Sequence, residues 1–282
     1  MSVHSPSTGK TYPVKLLCEV LAVPRSSFYA LPNSSLARTT HKRGPKTEQS
    51  DGELLAAIRA DLAISPFLGE GHRKVWARLR RHGLRVGRKR VLRLMREQQL
   101  LAPVRRSHEQ GDKAHAGTIT TAVPDQLWGT DGTRFQTEQE GWSWVFLAVD
   151  HCNDEVVGWH VCKRGDRFAA LEPIRQGVRA RFGVMEKRAA QGLALRMDNG
   201  PQYLAEDFRN ELRFLGIAPS PTFVGEPEGN GIVERVIGLL KEQCLWGQRF
   251  RTLEQARLQI GLFVARYNAQ WLIERLGFRS PV

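Results

Sequence analysis

Three acids occupy positions where a carboxylate needs a reason. Asp131 lies inside an apolar stretch between Trp128 and Phe135, where a charge is costly unless a cation or donors meet it. Asp198 closes the run LALRMD and is followed by Asn199-Gly200-Pro201, a sharp exit of the kind that puts ligands at a sheet edge. Glu234 follows the segment TFVGEPEGNG, in the first turn or so of a predicted helix. Three carboxylates suit phosphodiester chemistry, because two divalent cations can clamp the attacking and leaving oxygens of an in-line displacement and neutralise the charge that develops. Oxygen ligands favour Mg²⁺ or Mn²⁺. In this reading Asp131 bridges both ions, Asp198 holds one and Glu234 the other. Taken singly, each acid is more often a cap, an ion-pair partner or a surface group, so the reading rests on the set. Lys241 comes seven residues after Glu234, about 20° short of two helical turns, which predicts an ammonium on the same rim able to steer a DNA backbone.

The elements that must hold these groups are readable from periodicity. Runs at 126–136, 142–150 and 155–163 read as three consecutive strands joined by turn residues. A helix over 167–182, a strand at 193–197, a helix over 204–215 and a short strand at 216–218 follow. Residues 222–231 read as a mobile loop, and a long helix starts near Asn230 with Val233, Val236, Ile237, Leu240 and Cys244 on its inner stripe. Thr252 with Gln255 predicts a capping box for a final helix ending near Tyr267. This order predicts an α/β fold with a mixed sheet.

Ahead of it the chain is helical and basic. Residues 14–30 read as two short helices, with Leu16, Leu17, Val20 and Leu21 as an apolar stripe and Pro24 opening the second. Pro32 to Ser50 has linker composition. Leu54, Leu55, Ile58 and Leu62 repeat at helical spacing up to the Ser65-Pro66 turn. Helices over 74–81 and 88–98, joined by a short Gly-containing connection, form a helix-turn-helix pattern. Residues 1–117 hold 22 Lys/Arg against 9 Asp/Glu, so the whole +13 excess of the chain lies there and the remainder is neutral. A basic block joined to a neutral one predicts a polyanion-binding part and a part with another task. Arg73, Lys74, Arg78, Arg81, Arg85, Arg88, Lys89, Arg90 and Arg93 are candidate DNA contacts, as is Lys241; a solvated basic face is the alternative. The four cysteines show no CxxC pair, which argues against a zinc cage or disulfide framework. The absence of a long apolar run or signal-peptide core predicts a cytoplasmic protein.

WGTDGT at 128–133, MDNGPQY at 197–203, NGIVERVIGLLK at 230–241, and YN with LGFRSP over 267–281 occur in that order, and 35 residues separate Asp198 from Glu234. In these motifs the sequence resembles the catalytic, second-reading-frame (OrfB-type) DDE transposases of bacterial insertion sequences, relatives of retroviral integrases. The resemblance covers most of the chain, since the segment from Gly71 to Ala102 matches the family's upstream helix-turn-helix. It implies an RNase H-like five-stranded mixed sheet with flanking helices behind small all-helical DNA-binding domains. Asp131, Asp198 and Glu234 are then both the catalytic and the metal-binding residues, and the activity is phosphodiester cleavage followed by 3′-OH strand transfer at the element's ends. Implied partners are double-stranded DNA of the terminal inverted repeats and the target, further copies in a synaptic complex, and an upstream-frame (OrfA) partner. The expected organisation is a helical hairpin with basic linker at 1–47, a helix-turn-helix domain at 48–105, a linker at 106–122, the catalytic core at 123–247 and a C-terminal helical subdomain at 248–282. After Tyr267-Asn268 the family has an Arg-Pro-His-like segment where this chain reads AQWLIERLGF. A catalytically silent DNA-binding regulator and a ribonuclease acting on RNA–DNA hybrids are the competing readings.

Overall fold

A computed structural model describes residues 4–30, 48–103, 119–221 and 230–282. Most of both expected linkers and of the Gly-rich loop before Glu234 lies outside the described residues. The chain separates into two compact units, Met1–Glu48 and Gln49–Val282.

In the first unit the two expected helices form, α1 Val14–Val20 and α2 Arg25–Ala30. Their apolar stripe is not a core, however: Leu16, Val20 and Leu21 are exposed, and Cys18 is the buried residue of α1.

The second unit begins with three helices, α3 Asp51–Ile64, α4 His72–Arg81 and α5 Arg88–Glu97. Ser50 and Glu53 form a reciprocal capping box at the start of α3, satisfying donors that a helix start leaves free. Leu54, Ile58, Val75, Leu79, Val86, Val91, Leu94 and Met95 make one small apolar core.

The sheet follows. Its strands are β1 Leu127–Thr137, β2 Gly141–Asp150, β3 Val156–Cys162, β4 Ala194–Met197 and β5 Ala218–Pro221, in the spatial order β3-β2-β1-β4-β5. β1 to β3 form an antiparallel meander, while β4 pairs parallel with β1 and β5 parallel with β4. This is the RNase H-like arrangement, a mixed sheet in which the central strand joins the antiparallel and parallel halves. Alternation along β2 feeds both faces. Val145, Leu147 and Val149 enter one core with α9 Gly231–Leu240 and α10 Leu253–Gln270; Phe146 and Ala148 enter the other with α6 Arg167–Phe182 and α8 Glu206–Leu215. α6 lies close on the sheet because Gly158 of β3 faces the backbone of Pro173, where an added Cβ would stand 1.9 Å from the carbonyl oxygen.

Several expectations need correction. The last strand is not at 216–218 but at 218–221, because Gly216 adopts φ +77° as the left-handed end of α8 and Ile217 turns inward. A short helix, α7 Pro201–Leu204, precedes α8. The helix carrying Glu234 changes to a π turn over Lys241–Leu245. Thr252 does cap α10 by accepting from the Gln255 N–H, but the Gln255 side chain accepts from the Arg251 N–H instead of closing a reciprocal box on Thr252.

The C-terminal segment that departs from the transposase pattern joins the helical part of this unit to the sheet. Trp271 meets Phe67 edge-on at 4.9 Å and lies under the Lys74 ammonium; Glu274 pairs with Arg73 at 2.6 Å; Phe278 meets Trp76 edge-on at 5.8 Å. Gln243 adds a two-way bond to the Leu68 backbone. Among the described residues no helix is long and apolar enough to cross a membrane.

Candidate active site

The pairing of β1 with β4 places two of the three acids. Gly129 aligns with Arg196 in the parallel ladder; Asp131 comes two residues on within β1, and Asp198 two residues on, one past the end of β4. Asp131 remains half-buried in β1, with its Oδ1 accepting from the Gly132 N–H at 2.6 Å. Asp198 lies just past β4 in solvent, its Oδ1 accepting from the Gly200 N–H at 2.9 Å.

Glu234 is delivered by the packing of α9 across β1. Gly129 leaves no room for a Cβ: one there would meet Val233, Asn230 and His151, each at 2.5–2.6 Å. That close approach sets the start of α9 against the strand. Buried Asn230 donates from Nδ2 to the Thr130 carbonyl at 3.1 Å, linking the residue next to Asp131 with the helix start one turn before Glu234. Glu234 itself emerges at the solvent side of α9.

The electrostatics tie the acids together. Burial first, then the charges of Asp198 and Glu234, push the Asp131 carboxyl up to about 6, against the Gly132 N–H and the Lys241 ammonium, which favour its charged form. Partial burial raises Glu234 as well. Lys241 acts on Asp131, whose charged form it favours; α9 is α-helical through Leu240 and the π turn begins only at Lys241, so the seven-residue spacing from Glu234 runs along unbroken α-helix. Among the described residues no three acids, histidines or cysteines stand close enough to enclose one ion as they are placed. The residue types nonetheless fit a divalent cation: Asp131, Asp198 and Glu234 are hard oxygen donors, and Asp131, raised by burial and by the other two charges, is a carboxyl whose charged form a cation would favour.

Tyr203 was not singled out from the sequence. Its phenol is fully buried beside Asp131 and Asp198, near the Thr130 and Gln202 side chains, and it packs edge-on against Phe208 at 5.3 Å. Burial and the two acid charges push its ionisation well above the ordinary range, so it forms a neutral floor under the acids. The only early signal was its place in MDNGPQY. By contrast Asp150 and Asp154, also buried, are spent on structure: Asp150 accepts from the Asp125 and Cys152 N–H groups and the Trp128 indole, and Asp154 pairs with Arg275.

Residues 122–227 and 215–281 match family models of the integrase core domain, and residues 70–108 match an HTH-like domain. The chain carries an integrase core behind an HTH-like domain. The chain is 27% identical over 274 residues to the Escherichia coli transposase InsD for insertion element IS2, spanning 95% of this chain and 89% of that one. It is also 27% identical over 284 residues to an uncharacterized 48.2 kDa protein of insertion element IS2A from Escherichia coli, covering 99% of this chain and 66% of that longer protein. Among solved structures it is similar to the simian T-cell lymphotropic virus intasome in complex with PP2A regulatory subunit B56 gamma, with TM-score 0.48 and 16% identity over 82% of this chain and 73% of that one. The HTLV-2 integrase catalytic core with magnesium aligns with TM-score 0.43 and 18% identity over 56% of this chain and 95% of that one.

Ahead of the integrase core, the HTH-like helices divide their cations. Arg78 binds Asp61 and the fully buried Glu70 carboxylate; Lys74 is enclosed between Glu70 and Trp271. Arg90 and Arg93 share Asp51, and Arg73 and Arg88 share Glu274. Arg81 donates to the Phe278 carbonyl. Arg85 and Lys89 project into solvent at the end of the turn and the start of α5.

The raised Asp131 carboxyl makes a pH prediction for the integrase core. A protonated acid cannot ligate a cation, so divalent-ion-dependent activity should fall as pH drops through about 6. Proton and cation compete for the same oxygens, so rising Mg²⁺ should move that midpoint lower. The sign for the ion-free fold is opposite: burial disfavours the charged form, and the resulting destabilisation is relieved as pH falls through the same range. Rate–pH profiles at two Mg²⁺ concentrations check it, and an unmoved midpoint counts against ligation by Asp131.

Proposed function

We propose that this protein is a DNA transposase that cleaves phosphodiesters at the ends of an insertion sequence and joins the freed 3′-OH to target DNA. The observation that carries the reading is the electrostatic coupling of the three acids on an RNase H-like sheet and the helix beside it: burial, then the charges of Asp198 and Glu234, raise Asp131 to about 6. The match to integrase core models and the likeness to the InsD transposase support it.

Mg²⁺ or Mn²⁺, two ions per site, would be held by Asp131, Asp198 and Glu234 and would supply Lewis-acid stabilisation of the charge on the transferring phosphoryl group. Asp131 presents a preorganised, half-buried carboxylate to the reacting phosphate's surroundings. Lys241 adds a positive charge where a backbone phosphate enters. Asn230 fixes the helix start against β1, so that the carboxylates of strand and helix keep their relation through turnover, and Tyr203 keeps water out from beneath.

Double-stranded DNA is the substrate in this reading, both the terminal inverted repeats and the target, acted on in the cytoplasm by more than one copy in a synaptic complex and with an upstream-frame partner. Arg85 and Lys89 are the HTH-like side chains best placed for phosphates. Replacing both with Ala should weaken duplex binding several-fold and flatten its salt dependence by about two counterions, measured by titration at several salt concentrations.

The test of the activity is incubation of the full chain with a labelled duplex carrying the element's end, in Mg²⁺ or Mn²⁺ and in chelator. Metal-dependent nicked and joined products are expected. Specific binding with no product in either metal would favour the second reading, a DNA-binding regulator, for which the spread of the acids noted above is the supporting observation.

A further inference from the structure

The groove at the tip of the β1–β2 hairpin has a composition that the fold does not account for. One wall is β1 beyond the active site: Gln136 lies five residues past Asp131, about 16 Å at roughly 3.3 Å per residue. The other wall is the continuation of α9, which runs from Glu234 through Lys241 and the π turn to Trp246 and Arg249 before the chain bridges back from Phe250 to Thr137. Between them is an open groove of about 690 Å³ lined by Arg134, Gln136, Trp142, Trp246 and Arg249, with Glu138 also in the lining.

Two large aromatics are left in water here, Trp142 at 59% and Trp246 at 71% exposure. Neither contributes to a core, and exposed aromatic surface beside a polar rim marks a binding face. The Arg134 guanidinium stacks against Trp142 at 5.5 Å and Trp144 at 5.7 Å, holding one cation beside an indole, and Arg249 is exposed next to Trp246. Indole faces alternating with guanidiniums match a strand that offers both base faces and phosphates. In a duplex the base faces are already stacked on one another, so only an unpaired strand can use the indoles.

We propose that this groove binds a stretch of unpaired DNA strand leaving the active site, its bases stacked on Trp142 and Trp246 and its phosphates met by Arg134 and Arg249. The proposal rests on the DNA-processing reading above and adds a substrate feature to it: the strand on one side of the reacting phosphate is opened over on the order of five nucleotides, at about 3.4 Å per base.

The test compares a blunt duplex carrying the element's end with the same duplex bearing a single-stranded tail of about five nucleotides that contains 2-aminopurine, bound to the full chain in chelator so that nothing is cleaved. The tail should raise wild-type affinity about tenfold and its fluorescence should be quenched on binding. Trp246→Ala, a change at an exposed side chain, should remove most of both effects while leaving blunt-duplex affinity unchanged, and Trp246→Phe should restore part of them. A tail that adds nothing in the wild type, a tail advantage that survives in Trp246→Ala or in Arg249→Ala, or an equal loss on blunt and tailed duplex would overturn the proposal; a groove for a peptide partner gives the first of these results. Failure of the wild type to bind either DNA would instead refute the DNA-processing reading itself.

Discussion

Asp131→Asn should lower the rate of strand cleavage and joining by about a thousandfold or more, with duplex binding changed by less than twofold. The substitution keeps the side chain's shape and its bond from the Gly132 N–H, which at present goes to Oδ1, but removes the anionic oxygen that a cation needs. Loss of one group that stabilises charge in the transition state costs on the order of two to three powers of ten, and loss of a metal ligand adds the weakened ion affinity to that. Asp198→Asn and Glu234→Gln should fall in the same range. Their effects should not multiply in combination, because the three act as one unit. The HTH-like helices lie in a separate small core, so binding measured on the same preparations separates a chemical loss from a folding loss. Retention of even a tenth of the wild-type rate by Asp131→Asn would show that this acid is not a ligand.

The largest expected effect on stability comes from a glycine. Gly158→Val should destabilise the Gln49–Val282 unit by roughly 3 kcal/mol or more, since over-packing of a filled interior costs about 1–3 kcal/mol and occasionally more. The obstacle is the main chain of Pro173, with the carbonyl oxygen 1.9 Å and the carbonyl carbon 2.8 Å from the position of a new Cβ, so no side chain can rotate away. Either α6 lifts from β3, exposing Ile174 and Val178, or the strand bends. An apparent melting temperature lower by roughly 6–12 °C is expected, with near-ultraviolet dichroism reporting the loosened Trp128, which packs against Gly177 of the same helix. A variant that melts with the wild type would mean that α6 does not sit this close.

These two residues differ in how visible they were beforehand. Asp131 could be found because a carboxylate in an apolar run between Trp128 and Phe135 violates the usual pattern, and because Asp198 and Glu234 follow at telling places. The strands of the meander were legible because short apolar runs rich in aromatic and β-branched residues, Trp142 to Val149 among them, are bounded by turn residues. Gly158 carried no signal, because what makes it obligatory is a helix that begins nine residues later. β5 was misplaced for a related reason: its sequence, APSP, has two prolines, and only parallel pairing at the sheet's edge with β4 makes it a strand; the nearby Gly216-Ile217 looked more strand-like. Lys241 was reached from helical spacing, and α9 does run unbroken to Leu240; what no periodicity announces is the π turn that begins at Lys241. The apolar stripe of α1 was read correctly as a stripe, but a stripe does not say what covers it.

Charge was legible in sum and not in detail. The excess before residue 117 stands out on counting, yet the use of several of these cations depends on acids elsewhere in the chain. Arg78 meets Asp61 and Glu70, and Arg73 and Arg88 meet Glu274 some two hundred residues away. The segment holding Glu274 is the one that departs from the transposase pattern, and its contacts with Phe67, Lys74 and Trp76 give that departure a structural role in joining the helical and sheet parts of the unit.

The central claim is that Asp131, Asp198 and Glu234 form one divalent-ion centre, and the most direct measurement is a Mn²⁺ titration of the full chain followed by the electron paramagnetic resonance signal of free Mn²⁺. The wild type should remove Mn²⁺ from solution saturably at neutral pH, and Asp131→Asn, Asp198→Asn and Glu234→Gln should each weaken that uptake strongly. Superimposable titrations of the wild type and all three variants would contradict the account.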